Sequence, residues 1–497
     1  MTVRMTDPFP FGEWMPDQGE FMNPGALVAT NCVSEGENYK PFADPAESSD
    51  ALASMCKGGF AYRDAAGNAT IFAGTKTKLY KLDGTSWVDV TRSSGGDYTM
   101  GDDNFWDFVN FGTLVIATNY TDDIQVFDVG TSTNFAQLSA TAPRCRRFFI
   151  QDNFLVCVDT VDGDGDIGYR VRWSPLADPA GDWTDDPTGT QADHQDIYGG
   201  DYANAFGAAL QNHGIIVQGK NLIRMDYVGT EKIFNFTKMD TGRGSILPRS
   251  CISNGRSVFF LSEDDFYEYN GSELIALGHK KVAKWFYKTF DETYDYNLNT
   301  AIDPLRKNVL WAFPTQDAAS GVPDRILCFN WVDRRFTVIE QDSEILFNFL
   351  TVGYTMDGLD AIYATVDEIP YSLDSRIWTG GKTVLGCFTE NHKLAAFSGS
   401  PKTATIGTTE LRINNSGRTT IHNILPYIEG GTQRVRLGRR NRITDDESWT
   451  DWVSANNFTG EFNFLHDATM FRAEVEISGS WEIAKSLSFR AKATGGA

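Results

Sequence analysis

The sequence predicts an all-β chain, a β-propeller of six to eight blades followed by a C-terminal antiparallel β-sandwich-like domain. Three observations predict it. A strand-rich unit closed by an aromatic residue or a turn recurs roughly every 40 residues between positions 58 and 339, the spacing of propeller blades. Within each unit, short alternating runs are split by turn residues in the manner of β-hairpins. After Gly380-Gly381 the recurrence stops, and a different set of alternating segments begins.

Residues 1–57 are rich in Pro and Asp and show little periodicity apart from residues 26–33 (ALVATNCV). That piece reads as a strand that pairs with the propeller and closes its ring. The repeating units then run 60–90, 105–138, 148–183, 206–239, 252–277 and 300–339. In the first, Ile71-Phe72-Ala73 and the run 79–82 flank a turn, Asp83-Gly84 makes the next turn, and 87–90 reads as the outer strand. Similar hairpins recur at 114–118 with 124–128, 215–218 with 222–227, and 258–261 with 266–269. Little identity links the units, so the repeat is one of structure. A less regular stretch (346–354, 361–366, 377–379) makes a seventh unit plausible. Only 280–288 (KKVAKWFYK) looks helical, with Val282, Trp285 and Phe286 on one face. Segments 410–413, 422–428, 433–437, 461–465 and 470–477 read as a separate antiparallel sandwich. The expected organisation is therefore an extended segment over 1–57, a propeller over 58–380 and a β-domain over 381–497.

The composition, 41% apolar and 13% aromatic over 497 residues, suits a globular chain with a large core. No apolar run approaches the ~20 residues of a membrane helix, and the start lacks the apolar core of a secretory signal. The chain is expected to be made and used without Sec export. Seven cysteines are spread singly with no CxxC, which predicts reduced, buried thiols in place of a zinc site or a disulfide framework. A net charge of −22 opposes tight binding to a phosphate backbone. The same charge suits a wall that DNA slides past, since acidic surfaces repel phosphates within the ~10 Å screening length.

Two clusters carry candidate chemistry. Asp162, Asp164 and Asp166 alternate with glycine (DGDGD), so three hard oxygen donors could converge on one metal ion such as calcium. The full EF-hand pattern is absent, with Ile167 and Trp173 where Gly and Glu would stand, and an Asp-Gly hairpin tip is the other reading. Arg434, Arg436, Arg439, Arg440 and Arg442 (RVRLGRRNR) form the one dense basic cluster. It reads as a contact with an acidic patch on a neighbouring subunit, then as a channel contact to DNA, then as a solvated face. The six histidines lack metal-ligand spacing, and no nucleophile elbow, P-loop or dinucleotide fingerprint is present. No enzyme activity and no cofactor are expected. The enzymatic rival is a propeller glycoside hydrolase, whose paired carboxylates would come from distant blades. The segment 83–87 (DGTSW) falls short of the sialidase-type Asp-box. The polar tracts 178–200 and 316–324 are candidate partner-facing or gate segments.

The order of these pieces resembles the tail nozzle, or packaged-DNA stabilisation, proteins of short-tailed bacteriophages. The similar stretches are 23–33 (NPGALVATNCV) followed by 39–42 (YKPF), Arg172-Trp173-Ser174-Pro175 with Asp182-Trp183, and 225–229 (MDYVG) leading to 234–236 and 242–244. Phe329-Asn330-Trp331 with Arg334-Arg335-Phe336, and the terminal stretch opening Ile424-Leu425-Pro426-Tyr427-Ile428, complete it. The resemblance implies a structural virion protein made in the host bacterial cytoplasm and carried in the virion tail. It implies a homo-oligomeric ring, usually a hexamer, below the portal and adaptor. That ring would extend the DNA channel, contact other tail proteins such as fibres or a needle, and retain the genome until ejection. A carbohydrate-binding tail protein is the further alternative.

Overall fold

The computed structural model describes residues 3–494 apart from 21–22, 66, 201–212, 230–231, 248, 351–382 and 415–416. It is a β-propeller continuous with a curled antiparallel sheet. Blade 1 is the meander Gly58–Arg63, Ala69–Gly74, Leu79–Asp83 and Ser86–Asp89, and blade 2 runs from Asp107–Phe111 to Ala136–Gln137. Blade 3 comprises Arg144–Gln151, Phe154–Asp162, Gly165–Trp173 and Asp193–Asp196. Blade 4 shows three strands, Gly214–Val217, Asn221–Tyr227 and Phe234–Thr241, and blade 5 runs from Ile252–Ser253 to Leu274–Ala276. A further free-standing sheet orders Ile345–Leu350, Thr383–Phe388, Lys393–Pro401 and Ala43–Ala51. Between it and blade 5 sits a meander of the same build, Asn299–Asp303 to Arg335–Glu340, which belongs to the large C-terminal sheet. Six free-standing blades and this fused meander thus share one ring.

Apolar clusters between neighbours show that the ring closes. Tyr62 and Phe72 meet Trp106 and Phe127 between blades 1 and 2, and Ile116 meets Phe148 and Trp183 between blades 2 and 3. The series continues through Phe154 with Phe234 and Val217 with Phe260, and Phe266 packs on Trp311 of the meander. It returns to its start where Phe347 and Phe349 pack against Ile71 and Ala73 of blade 1. Close approach fixes residue choice at one of these joints. Gly58 and Gly74 lie opposite each other in register, and a Cβ on Gly74 would fall 2.2 Å from Trp106 Cδ1. Trp106 lies against this bare backbone and donates its Nε1–H to the Thr75 carbonyl at 2.8 Å. All seven cysteines are free and buried.

Three expectations are corrected. Residues 26–33 do join the propeller but do not close its ring: Val28–Thr30 bridges the meander, through a parallel pairing of Thr30 with Val338, to Ala404–Gly407 of the C-terminal sheet. Closure falls to Ala43–Ala51, the outer strand of the last blade. Its sequence, ADPAESSDA, shows no apolar alternation because an outermost strand has little core to face, and Pro45 is tolerated at such an edge. The boundary at 380 is also displaced, since Thr383–Phe388 and Lys393–Pro401 belong to the last blade. Gly-Gly punctuation marks a break in the pattern without marking a domain edge. The expected strand at 410–413 reduces to bridge pairing, which among the described residues joins Leu411 to Phe471. Much of the seventh unit expected at 346–379 lies outside the described residues.

The C-terminal β-domain is not separate. Its spine is a long hairpin, Thr419–Arg440 with Met470–Ala493, whose register shifts at several bulges let both strands bend. The N-terminal strands Arg4–Met5 and Phe9–Pro10 add to Met470–Ala493 from the other end of the chain. The concave face buries Ile421, Val435, Phe471, Val475, Leu487 and Phe489 in the same cluster as Phe266 and Trp311. The helix Ala283–Thr289 joins that cluster through Phe286, which follows the buried Val282.

Candidate functional site

The arginine-rich strand is neutralised within its own sheet. Antiparallel register sets Arg434 opposite Glu476 and Arg436 opposite Glu474, and each guanidinium reaches the facing carboxylate, with Nε distances of 2.8 and 2.7 Å. Arg436 also lies over the rings of Trp449 and Trp452, at 4.6 and 4.8 Å from their centroids. Arg440 forks onto both oxygens of Glu410, at 2.5 and 2.7 Å, and reaches Glu20 at 3.3 Å. Arg439 bonds the His466 ring; burial and that guanidinium together hold His466 below its ordinary value. Arg442 is exposed; its backbone N–H donates to the Asp445 carboxylate at 3.0 Å, while its guanidinium makes no ion pair among the described residues. Four of the five arginines of the cluster thus find partners within their own chain. Cross-strand pairing supplies the acids from the same chain.

The Asp-Gly tip shows the same economy. It is a hairpin turn between Phe154–Asp162 and Gly165–Trp173, and Gly165 takes a φ of 118° that favours glycine. Its carboxylates converge on Arg170. The guanidinium donates to Asp164 at 2.7 Å and Asp162 at 3.1 Å through Nη1, and holds Asp196 through Nε and Nη2. Arg172 adds a second contact to Asp162 at 3.0 Å. Burial alone would raise Asp162, but the Asp164 N–H and the two arginines outweigh it and hold the carboxyl below its usual range. Asp166 turns away toward the Tyr120 hydroxyl. The guanidinium of Arg170 thus holds Asp162 and Asp164 together, and Asp166 does not join them, an arrangement that suits the hairpin-tip reading. Among the described residues, the side chains that do approach one another like ligands are Asp185, Asp193 and His194. Arg172 and the His194 ring already meet Asp185, at 3.3 and 3.0 Å.

Both candidate gate tracts are anchored. Tract 178–200 buries Trp183 completely, with its indole N–H on the Pro179 carbonyl and its backbone N–H on Thr141, and ends in the outer strand Asp193–Asp196. Tract 316–324 is held by Asp324, which accepts from the Thr315 N–H and hydroxyl, and by Asn297, which donates to the Gly321 carbonyl.

An open strand with large exposed apolar residues beside it lies at an edge of the C-terminal sheet. Strand Phe462–Ala468 pairs with Thr419–Arg440 and with no second strand among the described residues, so one row of its backbone groups is open. Phe462 and Phe464 point into the core, which turns Leu465 outward at 72% exposure. Phe458, in the loop entering this strand, is 99% exposed. Sequence reasoning missed both residues, although the alternation FNF was sufficient to place Leu465 on the outer face.

No family model matches the chain, and no curated protein matches it. Among solved structures, it is similar to the extracellular domain of the putative hybrid two-component system BT4673 of B. thetaiotaomicron, with 12% identity and a TM-score of 0.42. That match covers 83% of this chain and 47% of the other, so this chain spans about half of that domain. YCF48 bound to D1 peptide matches at 9% identity and a TM-score of 0.38, covering 72% and 96% of the two chains. The computationally designed Ika8 protein matches at 8% and 0.36, covering 71% and 99%.

Proposed function

We propose that this chain is a non-catalytic structural protein of a short-tailed bacteriophage tail, a nozzle subunit that forms a ring below the portal and adaptor. In this reading the ring, built of six copies in keeping with the resemblance, extends the DNA channel, retains the packaged genome and passes it on infection. The observation that carries the reading is the open edge at Phe462–Ala468 with Leu465 and Phe458 exposed beside it. An unpaired edge rimmed by large apolar groups suits repeated association with another chain. The order of sequence stretches shared with nozzle proteins supports it, as does a net charge of −22, which disfavours adhesion of passing DNA.

Mass photometry and negative-stain imaging test the proposal, with the protein alone and with the portal-side tail components of its source. A ring in either condition is expected, and the double variant Leu465→Asp, Phe458→Ser should abolish it while leaving the monomer folded. A monomer that ignores those components in every condition overturns the proposal.

A further inference from the structure

The mouth of the propeller axis carries a charge pattern opposite to that of the whole chain. The first residues of the inner strands of blades 1, 2 and 5, of the fused meander and of the last blade, with Arg147 from within that of blade 3, surround a cavity of about 210 Å³. Two arginines from different blades line it. Arg147 stands on the inner strand of blade 3, and Arg249 lies in the segment before blade 5. Both guanidinia lie over the ring of Phe105, at 5.8 and 4.9 Å from its centroid. The acid lining this cavity is Asp107, which Arg147 approaches at 3.6 Å and which also accepts the Phe148 N–H at 3.1 Å.

Arg249 is the unanswered group. Among the described residues no carboxylate or carbonyl lies within hydrogen-bonding or ion-pairing distance of its guanidinium; its own backbone carbonyl is fixed by the Thr300 hydroxyl at 3.0 Å. Burial, with Arg147 beside it, pushes its guanidinium down to about 10. Lys57 lies nearby with its ammonium on the Asp102 carbonyl at 2.9 Å, and burial and the charge of Arg249 lower it to about 8. Asp107 is the acid near both arginines, so among the described residues two guanidinia share one carboxylate at this cavity, and a rigid fork of N–H donors matches an oxyanion in geometry as well as charge.

We propose that this axial cavity is a binding site for a small oxyanion, gripped by the Arg249 guanidinium with Arg147 beside it. The ligand class is a phosphate, sulfate or carboxylate group borne on a small molecule, since the volume admits no polymer. It completes the charge balance of the axis and ties blade 3 to the segment leading into blade 5.

Calorimetric titration and thermal melts with sodium phosphate, sulfate and acetate, against chloride at matched ionic strength, test it. At least one oxyanion is expected to bind and to raise the melting midpoint progressively with concentration, while chloride does neither. Arg249→Met should abolish the effect. Should that variant fail to fold, Arg249→Lys keeps the charge but loses the fork, and should weaken binding about tenfold or more. No oxyanion response in the wild type, or an undiminished response in the arginine variants, overturns the proposal.

Discussion

Individual side chains in this protein differ widely in what their charge contributes. Arg440 and Glu410 are 10% and 3% exposed and meet through two hydrogen bonds, whereas Arg434 is 48% exposed opposite Glu476. Breaking a buried pair strands a charge, so Arg440→Ala should lower unfolding free energy by about 3 kcal/mol. Arg434→Ala should cost less than about 1 kcal/mol. Urea denaturation of both variants checks the contrast, and equal losses would contradict it. Asp265 offers a pH-dependent counterpart. Burial pushes its carboxyl from 3.8 up to about 6, even though its Oδ1 accepts the N–H groups of Phe266 and Gly278. A carboxyl whose folded value is raised gives stability that is full below about 4 and is lost as pH climbs through about 6. Asp265→Asn keeps an acceptor without the charge. It should therefore stabilise the protein at pH 7 by roughly 2–3 kcal/mol, a gain that fades toward pH 4 in urea titrations across that range.

At the level of strands and blades, what the sequence made legible was what faces a core. The hairpins at 71–82, 114–128 and 258–269 alternate because each blade packs on two neighbours, and the matching strands are where the pattern placed them. Two outer strands escaped notice for the converse reason: Asp193–Asp196 and Ala43–Ala51 are polar, so period-two reading passed over both, whereas the Trp-bearing outer strand of blade 1 was legible. Charged clusters were visible as composition, but their partners were not. Arg434 and Glu476 are 42 positions apart, and only the register of the hairpin brings them together. Replacing residues 43–51 with a Gly/Ser linker of equal length isolates the role of the closing strand. Glu47 and Asp44 pair with Lys393 and Lys402 at 3.0 and 2.8 Å. The replacement should expose both lysines to trypsin and lower the melting midpoint; an unchanged digestion pattern would show that the last blade holds without its outer strand.

For the molecule as a whole, the described residues set two arginines at a small axial cavity in a chain of net charge −22, so the proposed DNA path belongs between subunits and not through the propeller. On that reading rings should form at low and moderate salt alike, because an apolar sheet edge depends little on screening. Mass photometry across a salt series measures this, and dissociation on adding modest salt would point to an electrostatic contact instead. Arg147 and Arg249 could not be singled out in advance, since no local motif marks residues that meet only after the ring has closed. Closure also sets a schedule for synthesis. Ser49 precedes its partner Leu394 by 345 residues. At ~5–20 residues per second, the closing strand leaves the ribosome roughly 20–70 s before anything exists for it to pair with. A greasy, alternating strand left open that long would recruit other nascent chains. The acidic, proline-bearing ADPAESSDA instead waits in solution, soluble because it is a poor strand on its own.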